Sequence, residues 1–231
     1  MVARAAIILA AGQGTRMKSA LPKVMHPVGG RPMIDWSIAL AEAAGCERIV
    51  VVTSPQQEDL RGHVGARLGD GATAIQSEPL GTGHAARAAE AAMSGFSGDV
   101  VVMFGDSPLM PVDALNALFA ALGEGADIGV LGFDAADPGM YGRLIVEDGD
   151  LQAIVEARDA SPEQLAITLC NSGVMTGRAE TMFKLLAKVK NDNAKGEYYL
   201  TDLVALARAD GGTCKAVVAR EADLIGCDSR A

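Results

Sequence analysis

The chain has 231 residues, 49% of them hydrophobic and 21% charged, with 20 lysines and arginines against 29 aspartates and glutamates, a formal charge of −9. These values exclude a disordered, collagen-like or low-complexity chain and supply a core for one large domain. An aromatic share of 4% argues against base-stacking platforms for nucleic acid, and no stretch approaches the roughly 20 apolar residues that span a bilayer.

The pattern alternates between strand and helix. Ala5–Ala10 is a short, wholly apolar run closed by Gly12 and Gly14, the signature of a buried parallel strand. Met33–Ala44 reads as a helix stopped by Gly45, Arg48–Val52 as a strand, Glu58–Leu68 as a helix and Thr73–Ile75 as a short strand. Gly83–Ala92 is alanine-rich and helical, Asp99–Phe104 a strand, Val112–Leu122 a helix after Pro111, and Ile128–Phe133 a strand. Then the pattern changes. Arg143–Glu147 and Leu151–Glu156 flank Asp148-Gly149-Asp150, a hairpin signal. Thr168–Thr176 reads as a strand, Arg178–Val189 and Leu203–Ala209 as helices, and Lys215–Ala219 as the closing strand. The order predicts an α/β fold: three Rossmann-like layers around a mostly parallel sheet, with a β-hairpin lobe in the C-terminal half.

The charge is unevenly placed. Residues 1–34 hold Arg4, Arg16, Lys18, Lys23 and Arg31 and no acid, leaving 15 basic against 29 acidic residues in the remainder. One cationic segment on an acidic protein points to a local anion site and not to a nucleic-acid surface. The run Ala5–Ala11 sits at the short limit for a signal-peptide core and leads into a glycine turn, so a targeting segment is disfavoured. Cys46, Cys170, Cys214 and Cys227 are scattered and form no C-x-x-C pair, which suits small buried thiols in a reducing compartment and predicts a cytoplasmic location.

In an open parallel sheet, ligands collect at the carboxyl ends of the strands. Three segments fall there. In LAAGQGTRMKSALPK, Gly12 and Gly14 let backbone N–H groups approach phosphate oxygens, and Arg16 and Lys23 can neutralise them. Neither the dinucleotide nor the P-loop fingerprint is present. In QSEPLGTGH, the Gly81-Thr82-Gly83 turn opens a helix, and Gln76 offers the donor and acceptor that an imide base edge needs; His84 reads as a local hydrogen-bond partner. In VVVMFGDSPL, Asp106 follows an apolar strand and a glycine, a position suited to a hard divalent cation.

These segments, with YGRLIVEDGDLQAIVEARDA, NSGV and NDNAKGEYYLTDL, run in order over nearly the whole chain. Together they resemble the uridylyltransferase domain of the bacterial bifunctional N-acetylglucosamine-1-phosphate uridyltransferase (UDP-GlcNAc pyrophosphorylase) family. The resemblance implies transfer of UMP from UTP to N-acetylglucosamine-1-phosphate, with Mg²⁺ as cofactor, for cell-envelope precursors such as those of peptidoglycan and lipopolysaccharide. It implies that Leu9, Ala10, Ala11 and Gly12 contact the nucleotide, that Gln76, Gly81 and Thr82 read the uracil, and that Arg16 and Lys23 act on the phosphates. Gly142, Glu156, Asn171, Tyr199 and Thr201 would surround the sugar, and Asp106 would hold the metal. The family's second metal ligand is an asparagine in G-V-N-x-R; here the segment is Gly226-Cys227-Asp228-Ser229-Arg230, so Asp228 stands in that place. The family continues into hexapeptide repeats carrying acetyltransferase activity, and no such repeat occurs in these 231 residues. The expectation is therefore one nucleotidyltransferase domain over residues 1–231, with oligomerisation dependent on the missing part and no nucleic-acid or membrane partner. Two alternatives stand beside it: transfer from another nucleotide such as CTP or dTTP to another sugar phosphate, or a non-catalytic nucleotide-binding regulatory module.

Overall fold

A computed structural model describes residues 2–193, 195–224 and 226–227. Its first strand, β1 (Arg4–Leu9), leads through two short 3₁₀ turns to a two-residue-strand hairpin, β2 (Pro27–Val28) and β3 (Arg31–Pro32). Helix α1 (Met33–Ala43), β4 (Cys46–Thr53), α2 (Glu58–Leu68), β5 (Thr73–Ile75), α3 (Thr82–Ala88), β6 (Asp99–Phe104), α4 (Val112–Gly123) and β7 (Ile128–Asp134) complete the alternating half. Next come β8 (Arg143–Glu147), β9 (Asp150–Val155), the single turn α5 (Pro162–Leu165), β10 (Leu169–Arg178), α6 (Ala179–Leu186), α7 (Asp202–Ala209) and β11 (Cys214–Ala219).

The sheet runs β11-β7-β10-β6-β1-β4-β5, with the β8–β9 hairpin joined to it through β10. All neighbours along that path are parallel except β10, which is antiparallel to both β6 and β7. The mostly parallel sheet and the hairpin lobe both stand as the sequence predicts. Strand β1 shows why the first run is apolar throughout. Ala5, Ile7 and Leu9 face one core with α3, α6 and α7, while Ala6, Ile8 and Ala10 face a second with α1, α2 and α4. A strand covered on both faces has no solvated side on which to place polar residues.

Three differences from the predicted elements have local causes. Arg178 belongs to β10, paired with Asp99, so α6 begins one residue later than the pattern suggests. Helix α3 stops at Ala88, and successive turns follow in which Met93 N–H still donates to the Ala89 and Glu90 carbonyls. The β2–β3 hairpin was not predicted, although Gly29 and Gly30, at φ +60° and +79°, are a strong turn signal. The predicted hairpin has the expected chemistry: Asp148 and Gly149, at φ +51° and +80°, form a two-residue turn closing the Glu147–Asp150 pair.

Strands β1, β4 and β6 end level, with Leu9 opposite both Val52 and Phe104. Antiparallel β10 enters the sheet at that same end, with a register break between Asn171 and Met175. The break lets the start of β10 pair with β8 at Cys170–Arg143 and carries the hairpin lobe over this end of the sheet. Among the described residues, no helix is long and apolar enough to cross a membrane.

Candidate active site

Beyond β1 the chain crosses a cavity of about 410 Å³ at the carboxyl ends of the strands. Leu9, Ala10, Ala11 and Gly12 form its floor, and Arg16 and Lys23 stand on its wall. Gly14 has φ +58°, and a Cβ there would lie 2.6 Å from Lys23 Cβ. Glycine is therefore required both by the left-handed backbone and by the close passage of the Lys23 segment. Buried Met17 anchors the first 3₁₀ turn (Thr15–Met17), and buried Val24 anchors the second (Lys23–Met25). Gln57 supports the loop from beneath: its Nε2 donates to the Ala10 carbonyl at 3.1 Å, while its Oε1 accepts from Ser54 N–H.

Strand β6 delivers Asp106 opposite this loop. Gly105 N–H donates to the Leu9 carbonyl at 3.0 Å, which extends the β1–β6 ladder by one rung. A side chain at residue 105 would press on Val24 and Ile34, at 3.1 and 3.3 Å. Asp106 then turns its carboxylate to Lys23, whose Nζ donates to Oδ2 at 2.5 Å. The carboxylate is about a quarter exposed (26%) on the cavity wall. From behind, Cys227 N–H donates to the Asp106 carbonyl at 2.9 Å. Asp228, the expected second metal ligand, lies outside the described residues.

The far wall of the cavity is the base of α3. Gln76 is buried; its Nε2 donates to the Gly81 carbonyl at 3.0 Å. Gly81 has φ +102° and ψ 175°, and a Cβ there would sit 2.6 Å from the Tyr198 carbonyl oxygen. The segment 197–200 passes over this turn: Tyr198 N–H donates to Leu80 C=O (2.7 Å), Gly83 N–H donates to Tyr198 C=O (2.8 Å), and Leu200 N–H donates to Thr82 Oγ1 (3.1 Å). The turn is thus clamped from outside by a strap that has its own contacts farther along.

Thr82 and Phe104 separate the large cavity from a smaller one of about 160 Å³, whose polar lining includes Glu156, Asn171 and Thr201. Asn171 is held by its own turn, Oδ1 accepting from Gly173 N–H at 2.9 Å, and Thr201 Oγ1 lies 3.5 Å from Glu156 Oε1. Gly142 stands behind this wall: its carbonyl accepts from Asn171 N–H, and a Cβ would come within 3.7 Å of Asn171 and Glu156. Tyr199 lines neither cavity; Lys195 Nζ lies 6.0 Å from its ring centre. Burial raises the pKa of its hydroxyl, with Glu197, Glu156 and Asp159 adding to the rise.

The predicted residues that are described thus converge on two adjoining cavities, apart from Gly142, one layer back, and Tyr199, to one side. Sequence reasoning missed Phe104, Gly173 and Glu197 as parts of the walls. Phe104 was legible as the last residue before Gly105-Asp106. Gly173, at φ +84° in a place where a Cβ would collide with the Phe104 ring, became meaningful only once β10 was placed. Nothing in the sequence marked Gln57.

Among the described residues, no group of three or more histidine, cysteine, aspartate or glutamate side chains gathers to enclose a metal. Asp106 offers one carboxylate on the wall of the larger cavity, and Mg²⁺ accepts such a donor, since it keeps waters and takes substrate phosphates as its other ligands.

Comparison with known proteins agrees with this geometry. Residues 6–167 match the MobA-like NTP transferase domain. The bifunctional protein GlmU of Hyphomonas neptunium is 64% identical over 229 residues, which cover 99% of this chain and 50% of that protein. The bifunctional protein GlmU of Maricaulis maris is 51% identical over 232 residues, covering 99% and 50%. The chain therefore spans about half the length of the curated relatives it matches. Among solved structures, the inositol-1-phosphate CTP transferase of T. maritima superposes with a TM-score of 0.74 at 21% identity, covering 96% of this chain and 87% of that one. The UDP-glucose pyrophosphorylase of Acinetobacter baumanii gives 0.69 at 20%, covering 94% and 86%. These last two share the fold.

Proposed function

This chain belongs to the MobA-like NTP transferase family, and on that premise we propose that it transfers UMP from UTP to N-acetylglucosamine-1-phosphate, releasing pyrophosphate and forming UDP-N-acetylglucosamine. The observation that carries the reading is the pair of adjoining cavities. One has a glycine loop, two cations and Asp106; the other, beyond Thr82 and Phe104, is small and sets Glu156, Asn171 and Thr201 beside apolar walls. A nucleoside triphosphate suits the first and a sugar the second, with the reacting phosphates between them.

In the reaction, an oxygen of the sugar phosphate attacks the α-phosphorus of UTP. A new P–O bond forms, the α–β bridging P–O bond breaks, and its electron pair leaves with pyrophosphate. The nucleophile is already ionised, so no proton has to move and no general base is required. Catalysis then consists of positioning and of neutralising charge on the phosphates. The loop amides around Gly12 hold the triphosphate, Arg16 takes the leaving pyrophosphate, and Lys23 turns to the α-phosphate. Asp106 would hold the divalent cation, which supplies further charge neutralisation when bound. Gln76 and Gly81 read the uracil while Leu9–Ala11 and Thr82 bound the nucleoside. Asn171, Glu156 and Thr201 hydrogen-bond the sugar, with Gly142 and Tyr199 shaping the walls around it.

The test is pyrophosphate release with UTP, CTP and dTTP crossed against N-acetylglucosamine-1-phosphate and glucose-1-phosphate. The proposal expects the first of each set to be preferred. Preference for CTP or dTTP defeats the uracil reading, and nucleotide binding without turnover on any acceptor defeats the enzyme reading.

A further inference from the structure

Gln76 has a further polar neighbour, His84. Its amide carries two N–H donors on Nε2 and one acceptor, Oε1. One donor goes to the Gly81 carbonyl at 3.0 Å, and the same nitrogen lies 3.3 Å from His84 Nδ1. The Gly81 carbonyl only accepts, so the nitrogen end of the amide must face it. If His84 Nδ1 also accepts, both amide hydrogens are committed and only Oε1 remains for a ligand. A lone acceptor facing ring position 3 pairs with the imide N–H of uracil and meets a repelling lone pair on cytosine.

The His84 ring is itself held in place. It packs on Tyr198 with ring centres 6.0 Å apart and planes 31° from parallel. Tyr198 is fixed in turn by its main-chain bonds to Leu80 and Gly83. A second acceptor competes for the same nitrogen: the Glu78 carbonyl lies 3.1 Å from His84 Nδ1. An Nδ1–H tautomer donates to Glu78 and leaves Gln76 with an unassigned hydrogen. The Nε2–H tautomer offers its Nδ1 lone pair to Gln76.

We infer that His84 is a positioning residue whose Nδ1 accepts the second amide hydrogen of Gln76 and, together with the Gly81 carbonyl, holds that amide with Oε1 left for the base, and with it the preference for a base bearing N–H at position 3. This rests on the reading of Gln76 as the uracil contact.

The experiment measures the ratio of kcat/KM for UTP over CTP in pyrophosphate release by the full chain, with Q76A, H84L and H84N as variants. In H84L the ratio falls about tenfold, the usual size of one hydrogen bond in recognition. In H84N it stays within about threefold, because the asparagine Oδ1 replaces Nδ1 as acceptor. A ratio unchanged in H84L while Q76A loses it overturns the role of His84 and leaves the uracil reading standing. An equal loss in H84L and H84N also overturns it, since the missing ring and not the missing acceptor is then responsible. No UTP preference in the unmodified protein, or none lost in Q76A, overturns the uracil reading itself. If H84L does not fold, ¹⁵N NMR of the unmodified, nucleotide-bound protein decides: the Nε2–H tautomer of His84 supports the inference and the Nδ1–H tautomer overturns it.

Discussion

Lys23 Nζ lies 2.5 Å from Asp106 Oδ2, so the cation proposed for the substrate phosphate and the carboxylate proposed for the metal hold each other. Each arrives from a different strand end. Lys23 comes from the turn after β1, where Gly14 lets the loop close upon it, and Asp106 comes from the end of β6. The pair balances both charges in a partly enclosed cavity, and the proposed reaction requires phosphates and a cation to exchange with them.

That exchange predicts opposite effects from one substitution. Lys23→Met removes a charge from the reacting phosphates and lowers kcat by about 10²-fold. It also frees the Asp106 carboxylate, so the nucleotide-free protein binds Mn²⁺ more tightly than the unmodified chain. Electron paramagnetic resonance titration measures the second effect and pyrophosphate release the first. Weaker Mn²⁺ binding in K23M would show that the lysine does not compete for that carboxylate.

Gly81→Ala tests the clamp on the turn that opens α3. The backbone at φ +102° and ψ 175° is a conformation that glycine alone adopts easily, and a methyl group would lie 2.6 Å from the Tyr198 carbonyl. The strain costs about 1–3 kcal/mol of stability. The strap over α3 must shift as well, so KM for UTP rises. Urea unfolding and steady-state kinetics on the same variant are expected to move together; a stable G81A with unchanged KM would mean that the strap is not a clamp.

The sequence carried the order of the alternating half apart from the β2–β3 hairpin, with α3 ending four residues early and β4 running longer than its pattern, because strands buried on both faces leave a clear pattern. Asp99–Phe104, buried along almost its whole length, is such a case; Glu58–Leu68 and Thr73–Ile75 are likewise observed with the predicted bounds. The loop after β1 was legible for a related reason: glycines, cations and the absence of acids are local features. The smaller cavity was not. Asn171 and Glu156 meet only because β10 runs antiparallel and breaks register, and that is a property of the assembled sheet. Both residues came from family resemblance. The Lys23–Asp106 contact spans 83 residues, and no spacing rule links two such positions.

The four thiols differ in a measurable way. Cys46 is buried in the core beside α1, and burial pushes its pKa up to about 12, Arg4 opposing only in part. Cys214 is pushed up to about 11 by burial. Neither forms appreciable thiolate at pH 8, and thiolate is the nucleophile. Cys227 is only partly buried. Iodoacetamide at pH 8 is therefore expected to modify Cys227 first, with Cys46 and Cys214 reacting only on unfolding. Peptide mass mapping over time checks the order, and early labelling of Cys46 would contradict the packing of that core.

Asp202 opens α7 just behind the smaller cavity, and its pKa is raised above 3.8 by burial first, then by Asp192 and Glu156. A carboxyl with a raised folded pKa holds its proton more tightly in the native state. Its contribution to stability is fully present below pH 3.8 and is lost as pH rises through the folded value. At pH 7 the charged group is therefore a cost, which Asp202→Asn removes. Against this stands the loss of a negative charge at a helix N-terminus, a contribution of about 0.3–1 kcal/mol when exposed. Partial burial next to two other acids makes the removed repulsion the larger effect. Thermal melts of D202N are expected to show a higher Tm than the unmodified protein at pH 7 and no advantage at pH 3. A gain of equal size at both pH values would assign the stabilisation to something other than the charge on Asp202.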